Sequence, residues 1–373
     1  MAPRAIPSII DAHLDLAMNA LALNRDLKAP LTVLNERDGR IADHPMRGRA
    51  TVSLPELRRA GVRLCCATVL SRLRPELFPQ GGFSRLDIDF CAPEIAFSYA
   101  ASQIAYYELL EAQGDLRVVR TREELEAHWQ AVGTDGSPAP VGVILSMEGA
   151  DPIVGPEQVD WWWARGLRVA SLVHYGLGPY AGGTGTEGPL TDRGRELLDA
   201  FARRGIMLDV THLSDPAFDE ALDHFEGTVL ASHSNSRALV PNQRQLADPQ
   251  IRRLVERGAV IGIVCDAWML DPQWVRGKST NDGLTMESLA DHVDHICQIA
   301  GSSKHVGIGS DLDGLYGNEQ TPKDLKTIAD LGRLADLLGA RGYSDESIDA
   351  VFWSNWLGFF TTHLPAGPVG VLQ

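Results

Sequence analysis

The sequence has no long basic run and no window approaching the ~18 consecutive apolar residues of a membrane span. The formal net charge is -15 over 373 residues. Without a positive patch, a nucleic-acid or anionic-membrane partner is not expected. Cysteine is scarce and unpaired in pattern: Cys65, Cys66, Cys91, Cys265 and Cys297 are odd in number and show no metal-type spacing. That excludes a disulfide framework and points to a reducing compartment. Met1 leads into the first apolar run without a charged-then-apolar leader, and Pro365–Gln373 carries no hydrophobic anchor tail. The expectation is a cytoplasmic protein. No Gly-x-Gly-x-x-Gly turn follows the first apolar run, which weakens a dinucleotide-binding open sheet.

What is present is a repeated alternation. Eight short apolar runs read as strands: Ser8–Leu14, Val62–Leu70, Val141–Met147, Leu167–His174, Ile206–Thr211, Thr228–Ser232, Ala259–Cys265 and His305–Gly309. Most are near-continuous, as in parallel strands covered on both faces. Helical patterns lie between them. Asp215-Pro216, Asp248-Pro249 and Thr321-Pro322 each pair an N-cap residue with a first-turn proline, and Leu289, Val293 and Ile296 mark a further helix closed by Gly301. Hydrophobic content of 44% suffices for one large core. The expected architecture is an α/β fold, a (β/α)8 TIM-type barrel forming a single domain over 1–373. Long loops are expected at about 19–53, polar and poorly periodic, and at 175–190, rich in glycine. Trp161-Trp-Trp163 reads as packing or an oligomer contact rather than ligand stacking, which leaves a homodimer open.

In such a barrel, chemistry gathers at the C-terminal ends of the strands. His13 and Asp15 end the first run; as i and i+2 on a strand they project together. Glu148 ends the third, His174 the fourth, His212 the fifth, His233 the sixth and Asp311 the eighth. The other histidines (His44, His128, His224, His292, His295, His305 and His363) fall on helices, in loops or at a strand start, and read as surface or packing residues. Seven ionisable groups on one rim would be costly to bury without a shared cation. Three imidazoles and two carboxylates suit Zn²⁺ and admit Mn²⁺, Fe²⁺ or Co²⁺. Five ligands exceed what one catalytic zinc takes, but serve two metals if a carboxylate bridges, and Glu148 is placed to do so. Such a pair can hold a hydroxide between its metals and clamp a hydrolytic transition state.

Taken together, Asp-Ala-His13-Leu-Asp15, Met-Glu148-Gly, Leu-Val-His174-Tyr, Asp-Val-Thr-His212-Leu-Ser, Ser-His233-Ser-Asn and Gly-Ser-Asp311-Leu-Asp313-Gly314 resemble the membrane (renal) dipeptidases of the amidohydrolase superfamily, over nearly the whole chain. The resemblance implies a binuclear zinc peptidase. His13, Asp15 and Glu148 would bind one zinc, and Glu148, His212 and His233 the other. It implies hydrolysis of L-Xaa-D-Xaa or L-Xaa-L-Xaa dipeptides by a zinc-bridging hydroxide. Asp311 would be the proton shuttle and His174 the oxyanion donor and substrate contact, with Arg244 and Gly314 also on the substrate and Arg244 taking its carboxylate. Two positions depart from the family pattern: Gln245 stands where asparagine is common, and Cys265-Asp266-Ala-Trp268 stands where many relatives carry an aromatic facing the substrate. The alternatives are an amidohydrolase acting on an N-acyl amino acid or a lactone, or a non-catalytic metal-binding relative.

Overall fold

The computed structural model describes residues 8–76, 87–131 and 139–367. The leader and tail segments discussed above fall wholly or partly on 1–7 and 368–373, outside the described residues. Eight parallel strands form the barrel: β1 (Ile9–Leu14), β2 (Val62–Val69), β3 (Val141–Met147), β4 (Leu167–Ala170), β5 (Met207–Asp209), β6 (Val229–Leu230), β7 (Ile261–Ile263) and β8 (Val306–Ile308). Neighbours are hydrogen-bonded in the order β7-β8-β1-β2-β3-β4-β5-β6. A parallel bridge between Ala231 and Ile261 joins the ends of that path and closes the ring.

The period-2 alternation of the strands sorts the core into two layers. Ile10, Ala12, Leu64, Cys66, Ile144, Val169 and Leu230 form one apolar cluster with Trp356 and Phe360. The opposite set, including Ile9, Cys65, Ala67 and Val143, packs against the surrounding helices in a second cluster. The helix Asn355–His363 supplies Trp356, whose Nε1 donates to the Ile308 carbonyl at 3.0 Å. Gly307 makes that possible, because a Cβ there would collide with the indole.

Most strands are shorter than the apolar runs. β4 stops at Ala170, four residues before His174, and β5 to β8 cover only two or three residues each. A short strand not anticipated from sequence, Leu116–Val118, pairs with the first half of β3, where β4 has not yet begun to pair. Two helix starts lie one residue earlier than the Asp-Pro signals suggest, with Ser214 and Ala247 at the N-caps. The Thr321-Pro322 expectation is wrong. Residues 321–327 are turns, and the helix begins only after Thr327 is recapped by Asp330, whose Oδ2 accepts from Thr327 N at 3.1 Å. Thr321 Oγ1 instead donates to the Leu325 carbonyl at 2.7 Å, a local bond that competes with helix propagation. All five cysteines are free. Each tryptophan of the triplet packs: Trp162 is buried, Arg165 lies over Trp161 at 3.7 Å, and Arg168 lies over Trp163 at 3.8 Å. Among the described residues no helix is long and apolar enough to cross a membrane.

The 19–53 segment is more ordered than its composition suggests. It contains the helix Leu31–Asp38, held by a buried ionic network in which Arg25 and Arg47 both pair with Asp38. Asp313, just past β8, ties this segment to the barrel. It accepts from Thr51 N (2.8 Å), Thr51 Oγ1 (2.7 Å) and Val52 N (3.1 Å), with Arg25 at 3.7 Å. Asp313→Ala would strand two backbone donors and the Thr51 hydroxyl, while Arg25 keeps Asp38. A loss of about 2–4 kcal/mol is expected, read as a lower denaturant midpoint and melting temperature.

Candidate metal centre

The rim is built from residues at or just beyond the strand ends. His13 lies within β1 and Asp15 one residue past it. Glu148 follows β3 directly, and His212, His233 and Asp311 each lie three residues beyond β5, β6 and β8. Two of these positions are strained: His212 (φ 73°) and Asp311 (φ 57°) adopt left-handed backbone. Such conformations cost about 1–3 kcal/mol each in non-glycine residues and persist where surrounding structure enforces them.

Glu148 Oε1 is the hub. It lies 3.1 Å from His212 Nε2, 3.3 Å from His233 Nε2, 3.5 Å from His174 Nε2 and 3.6 Å from His13 Nε2. His13 Nε2 is 3.8 Å from Asp15 Oδ1 and 3.9 Å from Asp311 Oδ1. Among the described residues three triplets bring their donor atoms within 4.8 Å of one another: His13, Asp15 and Glu148; Glu148, His212 and His233; and His13, Asp209 and His233 behind them. The donor set is mixed imidazole and carboxylate, and His13 Nε2 is buried without a hydrogen-bond partner. These residues fit divalent cations such as zinc.

A second layer aims the imidazoles. Thr184 Oγ1 bonds His212 Nδ1 at 2.9 Å. Ser232 Oγ bonds His233 Nδ1 at 2.8 Å and reaches His13 Nδ1 at 3.3 Å, while itself donating to the buried Asp209. Thr68 donates to Asp15. Outer-shell bonds of this kind leave Nε2 free to ligate. Asp11 Oδ1 accepts from His13 N at 3.2 Å and from Ser310 N at 2.9 Å, fastening the His13 strand to the Asp311 loop. Sequence reasoning missed Asp11, Asp209 and Ser232. The available signal was an acid inside an otherwise apolar strand run, at residues 11 and 209.

The charges are mutually frustrated. Burial pushes the Asp15 carboxyl up to about 7, with Glu148 adding to the rise. Burial also drives Asp311 well above the ordinary carboxylate range, against the pull of His13 and with Glu148 and Asp15 pushing the same way. Burial holds His212 and His233 far below the usual imidazole value and His174 down at about 3, so all three are neutral. For His13, burial opposes protonation, but Glu148, Asp15 and Asp311 override it and raise the group to about 10. His212 and His233 are thus already in the neutral form that ligates a metal, whereas His13 holds a proton among the carboxylates that a bound cation would have to displace.

Beside the cluster lies a small cleft of about 80 Å³, bordered by Asp15, Glu148, His174, His212, Arg244 and Asp311 and also by Asp266, Trp268, Arg276 and Gly314. Asp311 reaches it with 16% of its side chain exposed. Arg244 is no surface residue. It is 4% exposed, with Nη2 donating to the His233 carbonyl at 2.9 Å and Nη1 to Ser234 Oγ at 3.3 Å. Among the described residues it has no acidic partner within salt-bridge distance. Gly314 N donates to the Asp311 carbonyl at 3.0 Å, and a Cβ at 314 would strike the Asp311 carboxylate. Gln245, buried, accepts from Asn235 N at 3.2 Å and donates to the Met269 carbonyl at 2.7 Å, so it braces the turn carrying Arg244.

The family model for membrane dipeptidase (peptidase family M19) matches residues 5–362. A Klebsiella pneumoniae protein described as an uncharacterized protein in the pqqA 5' region is 30% identical over 204 residues, covering 54% of this chain and 70% of its own. The dipeptidase tcpJ of Claviceps purpurea is 29% identical over 199 residues, 51% of this chain and 43% of that one, so the alignment spans less than half of that relative. The fold matches a Rhodobacter sphaeroides metallopeptidase, solved with a phosphinate mimic of L-Ala-D-Ala, at a TM-score of 0.74 and 22% identity, over 96% of this chain and 100% of that one. A second solved metallopeptidase of the same family, a dipeptidase, superposes at a TM-score of 0.75 and 22% identity, over 97% and 100%. The match over nearly the full length places this chain in the membrane dipeptidase family, a family of metallopeptidases.

Proposed function

We propose that the chain is a dipeptidase that holds two divalent metals, zinc by preference with Mn²⁺, Fe²⁺ or Co²⁺ as substitutes. His13, Asp15 and Glu148 would hold one, and Glu148, His212 and His233 the other. When bound, the metals supply Lewis acidity and a hydroxide nucleophile at neutral pH. The observation that carries this reading is the meeting, in one cleft, of the ligand cluster and a buried guanidinium with no acidic partner among the described residues. Arg244 offers a planar fork for the free carboxylate of the substrate. His174, kept neutral by burial, donates from Nε2 to the oxygen of the scissile carbonyl as charge develops there. Asp311 takes the proton of the attacking water and returns it to the leaving amine. Gly314 leaves the Asp311 carboxylate unobstructed.

The test is a panel of L-Xaa-D-Xaa and L-Xaa-L-Xaa dipeptides beside N-acyl amino acids and lactones, with metal content measured on the same sample. Cleavage of the dipeptides alone supports the reading, and turnover confined to lactones or N-acyl amino acids replaces it. Arg244→Met is expected to raise KM for dipeptides by about 10–100-fold with a smaller effect on kcat, because a truncated charge pair is lost from binding. An unchanged KM would remove the carboxylate role.

A further inference from the structure

Arg244 and Asp266, of opposite charge, border the same cleft, and Tyr175 lies within the field of both. Asp266, three residues beyond β7, is only 2% exposed yet borders the cleft. It is rigidly held: Oδ1 accepts from Gln320 Nε2 at 2.7 Å and from Trp268 N at 3.4 Å. Its one cationic partner among the described residues is Arg276, at 3.4 Å, whose side chain is 57% exposed. That guanidinium rests over the Trp268 ring at 4.9 Å and borders the inner cleft together with two outer chambers of about 460 and 620 Å³. A fixed buried carboxylate is thus neutralised by a long, exposed side chain with open space to withdraw into. The arginine half of this pair is exposed and held at 3.4 Å, so another cation can take its place on the carboxylate. The same cleft holds an anion receptor, Arg244, so a zwitterionic ligand bound there meets both a cation and a carboxylate. Burial raises Asp266 only to about 6, which leaves it ionised at neutral pH.

We propose that Asp266 is a specificity-determining residue that receives the cationic group of the substrate, an ammonium or a guanidinium, with Arg276 as the resident cation it displaces. The proposal rests on the dipeptidase reading for the reaction, but its binding step requires no turnover.

Three probes separate the sources of the cation in calorimetric titrations of the metal-loaded protein: L-arginine, L-citrulline, which lacks the guanidinium charge, and N-acetyl-L-arginine, which lacks the ammonium. L-arginine should bind at least about tenfold more tightly than one of the other two, as expected for a desolvated charge pair. Weaker binding of citrulline assigns the side chain, and weaker binding of the acetylated probe assigns the α-amino end. In Asp266→Asn, which preserves the acceptor for Gln320, the discrimination should vanish while the melting temperature stays near that of the parent. In Arg276→Ala, at an exposed position, L-arginine should bind several-fold more tightly. Equal binding of the three probes, no binding of L-arginine, discrimination that survives Asp266→Asn, or no tightening in Arg276→Ala would overturn the proposal. Charge discrimination without cleavage of any dipeptide would overturn the reaction instead and leave the Asp266 assignment standing.

Discussion

Glu148→Gln is expected to abolish bound metal and turnover together. One oxygen of this carboxylate lies 3.1–3.6 Å from four imidazole Nε2 atoms, and two of the three candidate ligand triplets share the residue. The amide is nearly isosteric, so packing is kept while the charge and one carboxylate oxygen are lost. Removal of an outer-shell partner typically costs about 10–100-fold in metal affinity, and loss of a shared direct ligand should cost more. Elemental analysis of the purified variant beside a dipeptide assay checks both halves. A full metal complement in Glu148→Gln would show that the carboxylate is not the bridge. A barrel that keeps its melting temperature while losing metal would separate the ligand role from a structural one.

Asp311→Asn should give the opposite dissociation: metal retained, turnover down by about 10²–10⁴-fold, the usual worth of a positioned acid-base group. Asp311 belongs to neither metal triplet that the Glu148 carboxylate completes, and part of its side chain opens to the cleft. Burial and the neighbouring carboxylates raise its proton affinity, which suits a group that must first accept and then release a proton. Asparagine can do neither. Near-parental kcat in this variant, with metal content unchanged, would remove Asp311 from proton transfer and leave it a positioning residue. An effect confined to KM would place it on substrate binding alone.

The barrel and the rim were legible because they follow from coarse rules. Near-continuous apolar runs such as Val141–Met147 can only be buried on both faces, and an ionisable residue at the end of such a run points to the C-terminal mouth. The strand lengths were not legible. Apolar content continues past the last ladder bond in Leu167–His174, because the residues after Ala170 are buried by the overlying loop and not by pairing. The Thr321-Pro322 start misled because a cap signal says where a helix can begin, not whether tertiary contacts let it begin there. The helix Leu31–Asp38 escaped notice since its stability comes from Arg25 and Arg47 converging on Asp38, a long-range match with no periodic trace. Ser232 was hidden for a similar reason: it looks like an ordinary strand residue until the fold sets its hydroxyl beneath two imidazoles. Asp266 stood out only as a departure, and its surroundings acquire meaning only with Arg244 and Arg276 in place around the same cleft.

The bond from Ser310 to Asp11 joins partners 299 positions apart. At ribosomal rates of ~5–20 residues per second, the first strand would wait about 15–60 seconds for the neighbour that completes its pairing. Until then His13 and Asp15 have no floor beneath them, and the nascent chain exposes an unzipped β1 edge. Assembly of the ligand cluster is therefore a late event in the synthesis of the chain.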